Sequence, residues 1–282
     1  YSFFVVSIFW VLVINTFRDY KSRKLYGFIM AGGSLGAIFG SEISVRLSNS
    51  FVSYGLELFV LSSAVLLFLS ILVAVFIANT NISSNLTRKV GGKWSDAITN
   101  IVSVKEVRNI ALYSWIFTAL MTVQWISAIP IIESYSEISQ QRIELFARIE
   151  QLVSPLTLFT QLFLTYAVIK IFGINLILIS YGFMFIIVFI LYGLAPGVGV
   201  VVFAQAFLRV FEYGFNKHTR EIIYSQLKKD DRYKSSVFID TFITRFGDLT
   251  GSMFMGISKL TAITFSYMPI LAIPFAALLS YT

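Results

Sequence analysis

The chain has 282 residues, of which 57% are apolar and 13% are charged, whereas an ordinary soluble domain carries about 25% charged residues. This composition excludes an ordinary soluble domain and predicts a membrane protein. The lack of Cys excludes disulfides, thiolate nucleophiles and sulfur-ligated metal sites, and the single His argues against other metal chemistry.

Nine apolar stretches of about twenty residues follow one another along the chain. Each is long enough, at about 1.5 Å per residue, to cross a hydrocarbon core of about 30 Å. We expect each to be an α-helix, because lipid offers no partner for backbone groups and the alternation typical of barrel strands is missing. The stretches are residues 1–17, 25–47, 54–78, 109–132, 146–171, 174–194, 197–215, 235–258 and 262–281.

Basic residues are concentrated in alternate loops between these stretches. One set of loops contains sixteen Lys and Arg and the other contains two. Because basic residues stay on the cytoplasmic side, the first set is predicted to be cytoplasmic, with the C-terminus inside and the chain in the cytoplasmic membrane. The net charge of +7 thus reflects topology, and no nucleic acid partner is expected. The basic set is 18–24, 79–108, 170–173 and 216–234, and the other set is 48–53, 133–145, 195–196 and 259–261. His218 is expected to be solvated in the last basic loop.

Two segments six helices apart resemble each other. KLYGFIMAGGSLGAIFGS at 24–41 and KSSVFIDTFITRFGDLTGS at 234–252 both have a Lys four residues before Phe-Ile and both end in Gly-Ser. A parallel repeat of six helices predicts this relation. Residues 1–78 would then be the last three helices of an N-terminal six-helix bundle, 79–108 a central cytoplasmic loop and 109–282 the C-terminal six-helix bundle. Three N-terminal helices, or a partner chain that supplies them, are expected in addition.

A strip of small residues lines one face of the second stretch. Gly32, Gly36 and Gly40 are spaced by four residues. Such a strip predicts close helix packing, with a flexible element along a substrate path as the alternative. No G-x-x-x-x-G-K-[ST] motif occurs, so a phosphate loop is not predicted.

Charged residues within the apolar stretches are the candidate functional residues. Arg209 and Glu212 are spaced i, i+3 in the seventh stretch, which permits an ion pair within that helix or with its neighbour. Asp240, Arg245 and Asp248 lie in the eighth stretch, where Asp248 follows Arg245 by three residues and shares its helix face. Glu144 and Arg148 are spaced i, i+4 near the fifth stretch. Two interpretations remain open for these residues: ion pairs that lock helices together, or a polar patch on a water-filled cavity.

The segment EYGFNKHTREIIYSQLKKDDRYKSSVFIDTFITRFGDLTGS at 212–252 resembles the ATP/ADP exchange carriers of plastids and intracellular bacteria and their less characterised bacterial relatives. NTFRDYKSRKLYGFIMAGGSLGAIFGS at 15–41 is similar to another part of the same family. The resemblance implies a major facilitator bundle of twelve helices, nine of them in this chain, that exchanges nucleotides without hydrolysis. The exchangers carry Gly-Lys where this chain has Gly247-Asp248, so the wider family is implied more strongly than nucleotide specificity. The matching residues are Tyr213, Thr219, Arg220, Glu221, Tyr224, Lys234, Ile239, Asp240 and Gly247.

The function expected from these patterns is secondary-active transport by alternating access. Arg209 and Arg245 are expected to bind a small anionic substrate such as ATP or ADP, while Glu212, Asp240 and Asp248 position them or exchange a proton. At the cytoplasmic mouth we expect gating contacts from Tyr213, Arg220, Glu221 and Lys234. Enzymatic activity and a cofactor are not expected. The alternatives are a proton-coupled carrier of a non-nucleotide metabolite and a membrane scaffold subunit that does not transport.

Overall fold

The computed structural model describes residues 25–50, 57–79, 96–227, 229–258 and 265–282. Helices make up nearly all of these ranges, and no strand occurs within them. The predicted all-α class is therefore confirmed for this part of the chain. The first expected span, 1–17, and the segments 18–24 and 80–95 lie outside the described residues.

The described residues form α-helices that are numbered here in chain order. They are α1 Leu25–Ser50, α2 Glu57–Asn79, α3 Asp96–Ser103, α4 Lys105–Tyr135, α5 Ser139–Phe159, α6 Thr165–Leu194, α7 Val198–Phe211, α8 Lys217–Gln226, α9 Lys229–Phe238, α10 Thr244–Ser258 and α11 Ile273–Tyr281. Three π-helical segments join α5 to α6, α7 to α8 and α9 to α10, namely Thr160–Leu164, Glu212–Asn216 and Ile239–Ile243. A 3₁₀ segment, Phe265–Ala272, leads into α11.

Three helical segments are long and apolar enough to cross a membrane: Lys105–Tyr135, Ser139–Leu194 and Val198–Tyr224. The expected nine spans are therefore wrong for the described part of the chain. Two shorter apolar helices occur there, Glu57–Val73 and Tyr267–Tyr281. These findings suggest a multi-pass membrane protein.

Two causes account for much of the difference in count. The segment Ser139–Leu194 contains two of the expected spans, and its 56 residues would extend about 84 Å if they were straight. Gly173 interrupts it with φ of 73°, a left-handed conformation that side chains disfavour, so the helix breaks there. The expected span at 235–258 is helical, but Asp240, Arg245 and Asp248 lower its hydropathy.

The predicted polar loop at 216–234 is helical in the structure. Helix α7, the π segment Glu212–Asn216 and α8 follow one another without a break, and we call such a continuous run a rod. This rod ends at Gln226 and α9 begins at Lys229, so only two residues separate them. His218, expected to be solvated, lies within α8 with both ring nitrogens buried. The sequence boundary was wrong because Lys and Arg at the inner end of a helix look the same in sequence as those in a loop. The expected domain boundaries at 78/79 and 108/109 stay predictions.

Contacts between residues far apart in sequence give the directions of the helices. The α9–α10 rod is parallel to α3 and α4, since Lys234 pairs with Asp96 near one end and the Trp115 indole donates to Thr250 at 3.0 Å farther along. The α7–α8 rod is parallel to α5, because Glu150 pairs with Arg209 and Gln161 donates to the Tyr213 carbonyl. Four helical rods thereby bring charged residues from distant sequence positions together.

Close helix packing at a glycine occurs between α10 and α4. Gly247 in α10 packs against α4 so closely that an added Cβ would lie 2.6 Å from the Thr118 hydroxyl. No described residue lies within 4 Å of a Cβ added at Gly32, Gly36 or Gly40, and α1 buries Ala31, Ser34 and Ser41 among the described residues. The expectation that the strip forms a helix interface stays a prediction.

An aromatic and aliphatic core lies among α4, α6, α7 and α11. Tyr181, Phe185 and Phe189 of α6 are completely buried in it, and Tyr181 stacks on Phe211 with ring centroids 5.3 Å apart. On its other side α6 exposes Phe183 and Ile187. A helix that is apolar on its exposed as well as its buried face is suited to contact with lipid.

Candidate functional site

Charged residues occur near the middle of the rods, at the level of the π-helical segments. Glu212 is the first residue of one π segment, and Asp240 is the second residue of another. A π turn leaves backbone carbonyls in need of new partners, and such turns are frequent at functional sites. Here Gln161 and Thr165 donate hydrogen bonds to the Tyr213 and Gly214 carbonyls at 3.2 and 2.7 Å.

The most buried ion pair joins Glu212 to Arg220, whose side chains are 8% and 11% exposed. The amide of Asn216 donates to the other oxygen of Glu212, and the Tyr113 hydroxyl donates to Asn216 at 2.8 Å. The Arg220 guanidinium lies over the Phe117 ring, 5.1 Å from its centroid. Each carboxylate oxygen of Glu212 thus has a donor, which is the arrangement that a buried charge requires.

Three further charged residues interact electrostatically with this pair or with one another. Asp240 interacts electrostatically with Arg220, Lys217 and Glu212, and Glu221 interacts with Asp240, Lys217 and Arg220. We call these five residues, Glu212, Lys217, Arg220, Glu221 and Asp240, the acidic cluster. It contains three carboxylates and two cationic groups contributed by the α7–α8 and α9–α10 rods.

A second ion pair, between Arg209 and Glu150, bridges α7 and α5. The two side chains are 26% and 30% exposed, so the pair is partly open. Each residue lies eleven positions beyond the start of its helix, about 16 Å along parallel rods. The ion pair that the sequence permitted between Arg209 and Glu212 does not form, because each finds a partner elsewhere.

A third pair lies within α10, where Arg245 contacts Asp248 at 2.7 Å. Its side chains are 49% and 32% exposed, and the Thr122 hydroxyl of α4 donates to Asp248 at 2.9 Å. This is the i, i+3 pairing that the sequence suggested. Together with Arg209–Glu150 we call these the open pairs.

The predicted mouth residues separate in the structure. Arg220 and Glu221 belong to the acidic cluster, while Tyr213 is 42% exposed one residue beyond Glu212. Lys234 pairs with Asp96 at 2.6 Å and so ties α9 to the short helix α3. These four residues therefore do not form one group of contacts.

Sequence reasoning missed several members of these arrangements. Glu150 lies inside the expected span 146–171, so the rule that marks intramembrane charges as functional could have found it. Lys217 was assigned to a loop because the span boundary was placed too early. Asn216 and Tyr113 carry no sequence signal, since neutral polar residues become notable only when a carboxylate is found beside them.

A cavity of about 440 Å³ lies at the opposite end of α4 from α3. Ser127, Ser134, Tyr192 and Pro196 contribute to its walls. None of the predicted site residues lines it, so this cavity and the charged residues are separate features.

Comparison with protein-family models, with curated proteins and with solved structures finds no match to this chain. The proposed function therefore rests on the fold and on the arrangement of the charged residues.

Proposed function

We propose that the protein is a secondary-active membrane transporter that moves a small anionic solute by alternating access. The observation that carries this proposal is the partial exposure of Arg209 within the candidate span Val198–Tyr224, together with that of Arg245 in the α9–α10 rod. An ion pair exposed to hydrocarbon is costly, so charges at such depth usually face an interior or a water-filled path. Exposed surfaces of α6 and α11 are instead apolar, with Phe183, Ile187 and Phe275 among them.

The open pairs suggest how an anion would bind. Each guanidinium is paired with a carboxylate, and an incoming anion would take the place of Glu150 or Asp248. Guanidinium groups bind carboxylates and phosphates with paired hydrogen bonds, which suits a nucleotide or a similar organic anion. Because substrate and carboxylate compete for the same Arg, binding is linked to the breaking of a contact between α5 and α7.

Resemblance of the segment around Arg220 and Asp240 to the ATP/ADP exchange carriers supports the same class of activity. Where those exchangers carry a Lys, this chain has Asp248, whose negative charge would repel an anion. In this proposal the anion is therefore bound by Arg209 and Arg245, which lie on different rods. We make ATP and ADP the first substrates to test.

The test is counterflow in liposomes that contain the complete protein. Vesicles loaded with unlabelled ADP should take up labelled ATP, and Arg209→Ala should reduce this uptake at least tenfold. Arg148→Ala is the matched control, because Arg148 is 60% exposed and pairs with Glu144 on its own helix, whereas Arg209 pairs with another helix. Equal uptake by Arg209→Ala, Arg245→Ala and the unsubstituted protein would exclude the proposed anion site.

A scaffold subunit without transport activity is the second candidate, favoured by the fact that both Arg residues already have carboxylate partners. It predicts that a panel of nucleotides and organic anions leaves the unfolding temperature unchanged. Transport predicts stabilisation by at least one of them, because a ligand that binds only the folded state stabilises it.

A further inference from the structure

Gln205 is a buried glutamine of α7 whose amide nitrogen has no hydrogen-bond partner among the described residues. The residue is only 3% exposed, so bulk solvent does not satisfy that nitrogen. An unpaired buried donor costs free energy, and most buried polar groups in folded proteins have a partner. An amide without one is therefore a feature to explain, and a bound solute is the explanation that its position favours.

That position is beside Arg209, one of the residues proposed to bind the anion. Gln205 precedes Arg209 by four residues in α7, which is helical from Val198 to Phe211. Residues four apart share a helix face, with Cβ atoms about 5–6 Å apart. Helical side chains tilt toward the N-terminus, so the Arg209 side chain extends back over Gln205. The Gln205 amide and the Arg209 guanidinium are therefore neighbouring donors beside the contact between α7 and α5.

The facing side of α5 is polar as well. Glu150, Ser154 and Thr157 are spaced by four and three residues and so share one helix face. One oxygen of Glu150 pairs with Arg209, and the other accepts from Ser154 at 3.2 Å. Thr157 is 4% exposed, and its hydroxyl has no partner among the described residues. Polar groups without partners thus occur on both helices that the Arg209–Glu150 pair joins, which is where the proposed function places the solute.

Other buried glutamines in the described part of the chain show what a structural amide has. Gln124 is 1% exposed, and its amide nitrogen donates to the Tyr192 hydroxyl at 3.0 Å. The amide nitrogen of Gln161 donates to the Tyr213 carbonyl at 3.2 Å. Gln205 differs from both, since no described residue accepts from its amide nitrogen.

We propose that Gln205 is a substrate-positioning residue and that the solute is an oxyanion, a carboxylate or a phosphate, that accepts from Arg209 and Gln205 together. The inference rests on the proposed transport function, because Arg209 is the anion-binding residue in it. Carboxylates and phosphates have two or more acceptor oxygens on one group, which suits two donors that lie side by side. One oxygen accepts from the guanidinium, and another accepts from the amide.

The amide adds binding free energy that the exchange of partners at Arg209 does not supply. When the anion takes the place of Glu150, the guanidinium loses one anionic partner and gains another. Glu150 also has Ser154 as a donor, so the solute competes with a carboxylate that is already hydrogen-bonded. The Gln205 amide gains a hydrogen bond without giving one up, and this gain favours the solute over Glu150.

Gln205→Leu in the complete protein tests the inference through two measurements. Leucine keeps an apolar side chain of similar length and removes the unpaired amide, so the unfolding temperature of the protein without solute should rise. In counterflow the KM for labelled ATP should rise at least tenfold, because the solute loses a hydrogen bond, while kcat changes little. A gain in stability together with a loss of affinity is the expected result.

Gln124→Leu is the matched control, because Gln124 is an equally buried glutamine whose amide already has a partner. It should lower the unfolding temperature and leave the KM of the folded protein unchanged. A similar fall in the unfolding temperature of Gln205→Leu would overturn the inference, since its amide would then have a structural partner.

Transport by the Arg variant separates this inference from the proposed function. An unchanged KM in Gln205→Leu, combined with lost uptake in Arg209→Ala, would overturn the role of Gln205 and leave the proposed function standing. Normal uptake in Arg209→Ala, or no uptake by the unsubstituted protein, would contradict the proposed function and with it the role given to Gln205.

Discussion

The acidic cluster and the open pairs use the same residue types in opposite surroundings. Glu212 and Arg220 are almost completely buried, with Asn216 and Phe117 against them, while Arg245 and Asp248 are about a third to a half exposed. A buried pair is costly to break because the remaining charge has neither partner nor water. An accessible pair can exchange its partner cheaply. Burial, and not residue type, therefore distinguishes the ion pairs that hold the structure together from those that can exchange partners.

The largest effect should follow from Arg220→Met. Removing the guanidinium leaves Glu212 buried without its cation, which we expect to destabilise the protein by about 3–5 kcal/mol. The measurement is the unfolding free energy in detergent. Arg220→Met with Glu212→Gln is the matched double variant and should recover much of the loss. A cost below about 1 kcal/mol for Arg220→Met would show that water reaches Glu212 and would remove the distinction from the open pairs.

The second prediction concerns the contact that holds α10, and with it Asp248, against α4. Gly247→Leu places side-chain atoms where Thr118 and the Trp115 carbonyl already lie, at 2.6 and 2.7 Å from an added Cβ. We expect a loss of about 1–3 kcal/mol in unfolding free energy from overpacking. Gly36→Leu is the control, since no described residue lies within 4 Å of a Cβ added there, and it should be neutral or slightly stabilising. Equal effects of the two substitutions would contradict the packing described for α10.

Thr122→Val tests the link between α4 and the open pair in α10. The hydroxyl donates to Asp248 at 2.9 Å, and its loss should cost about 1 kcal/mol. Ser70→Ala is a suitable control because that hydroxyl is exposed and donates to a carbonyl of its own helix. If Thr122→Val leaves the unfolding free energy unchanged, water or Arg245 fully replaces the hydroxyl, and the pair is more open than its exposure indicates.

The smallest effect should come from Arg148→Ala. Its partner Glu144 lies four residues away on the same helix, and the Arg side chain is 60% exposed. Such a pair contributes about 0.3–0.5 kcal/mol. Thermal unfolding should therefore shift only slightly. A loss as large as that of Arg220→Met would mean that burial does not decide the value of ion pairs in this protein.

Local patterns predicted contacts correctly where both partners lie on one helix. The pairs Arg245–Asp248 and Glu144–Arg148 follow from spacings of three and four residues, since those positions share a helix face. The same rule suggested Arg209 with Glu212, but a residue from α5 competes for Arg209. Spacing gives the possible partner, and packing decides whether a nearer or better oriented one exists.

Helix ends and the number of spans were predicted less well. Residues 216–234 are polar enough for a loop, yet they continue two helices because Thr219, Tyr224 and Ile239 are buried between rods. Gly173, by contrast, breaks the long helix within the predicted loop 170–173, between two of the expected spans. Hydropathy averages over about twenty residues, so it does not register a short helical turn.

The sequence by itself determined that this is a helical protein of membrane composition and that its charged residues fall near the middle of long helices. Backbone groups in lipid must be satisfied within the helix, and an apolar stretch of sufficient length leaves little choice of structure. Only the tertiary structure decided which carboxylate meets which cation, that Glu150 belongs with Arg209, and that three carboxylates gather around two cations. Those outcomes depend on the directions and close approach of rods that are distant in sequence, which local periodicity does not encode.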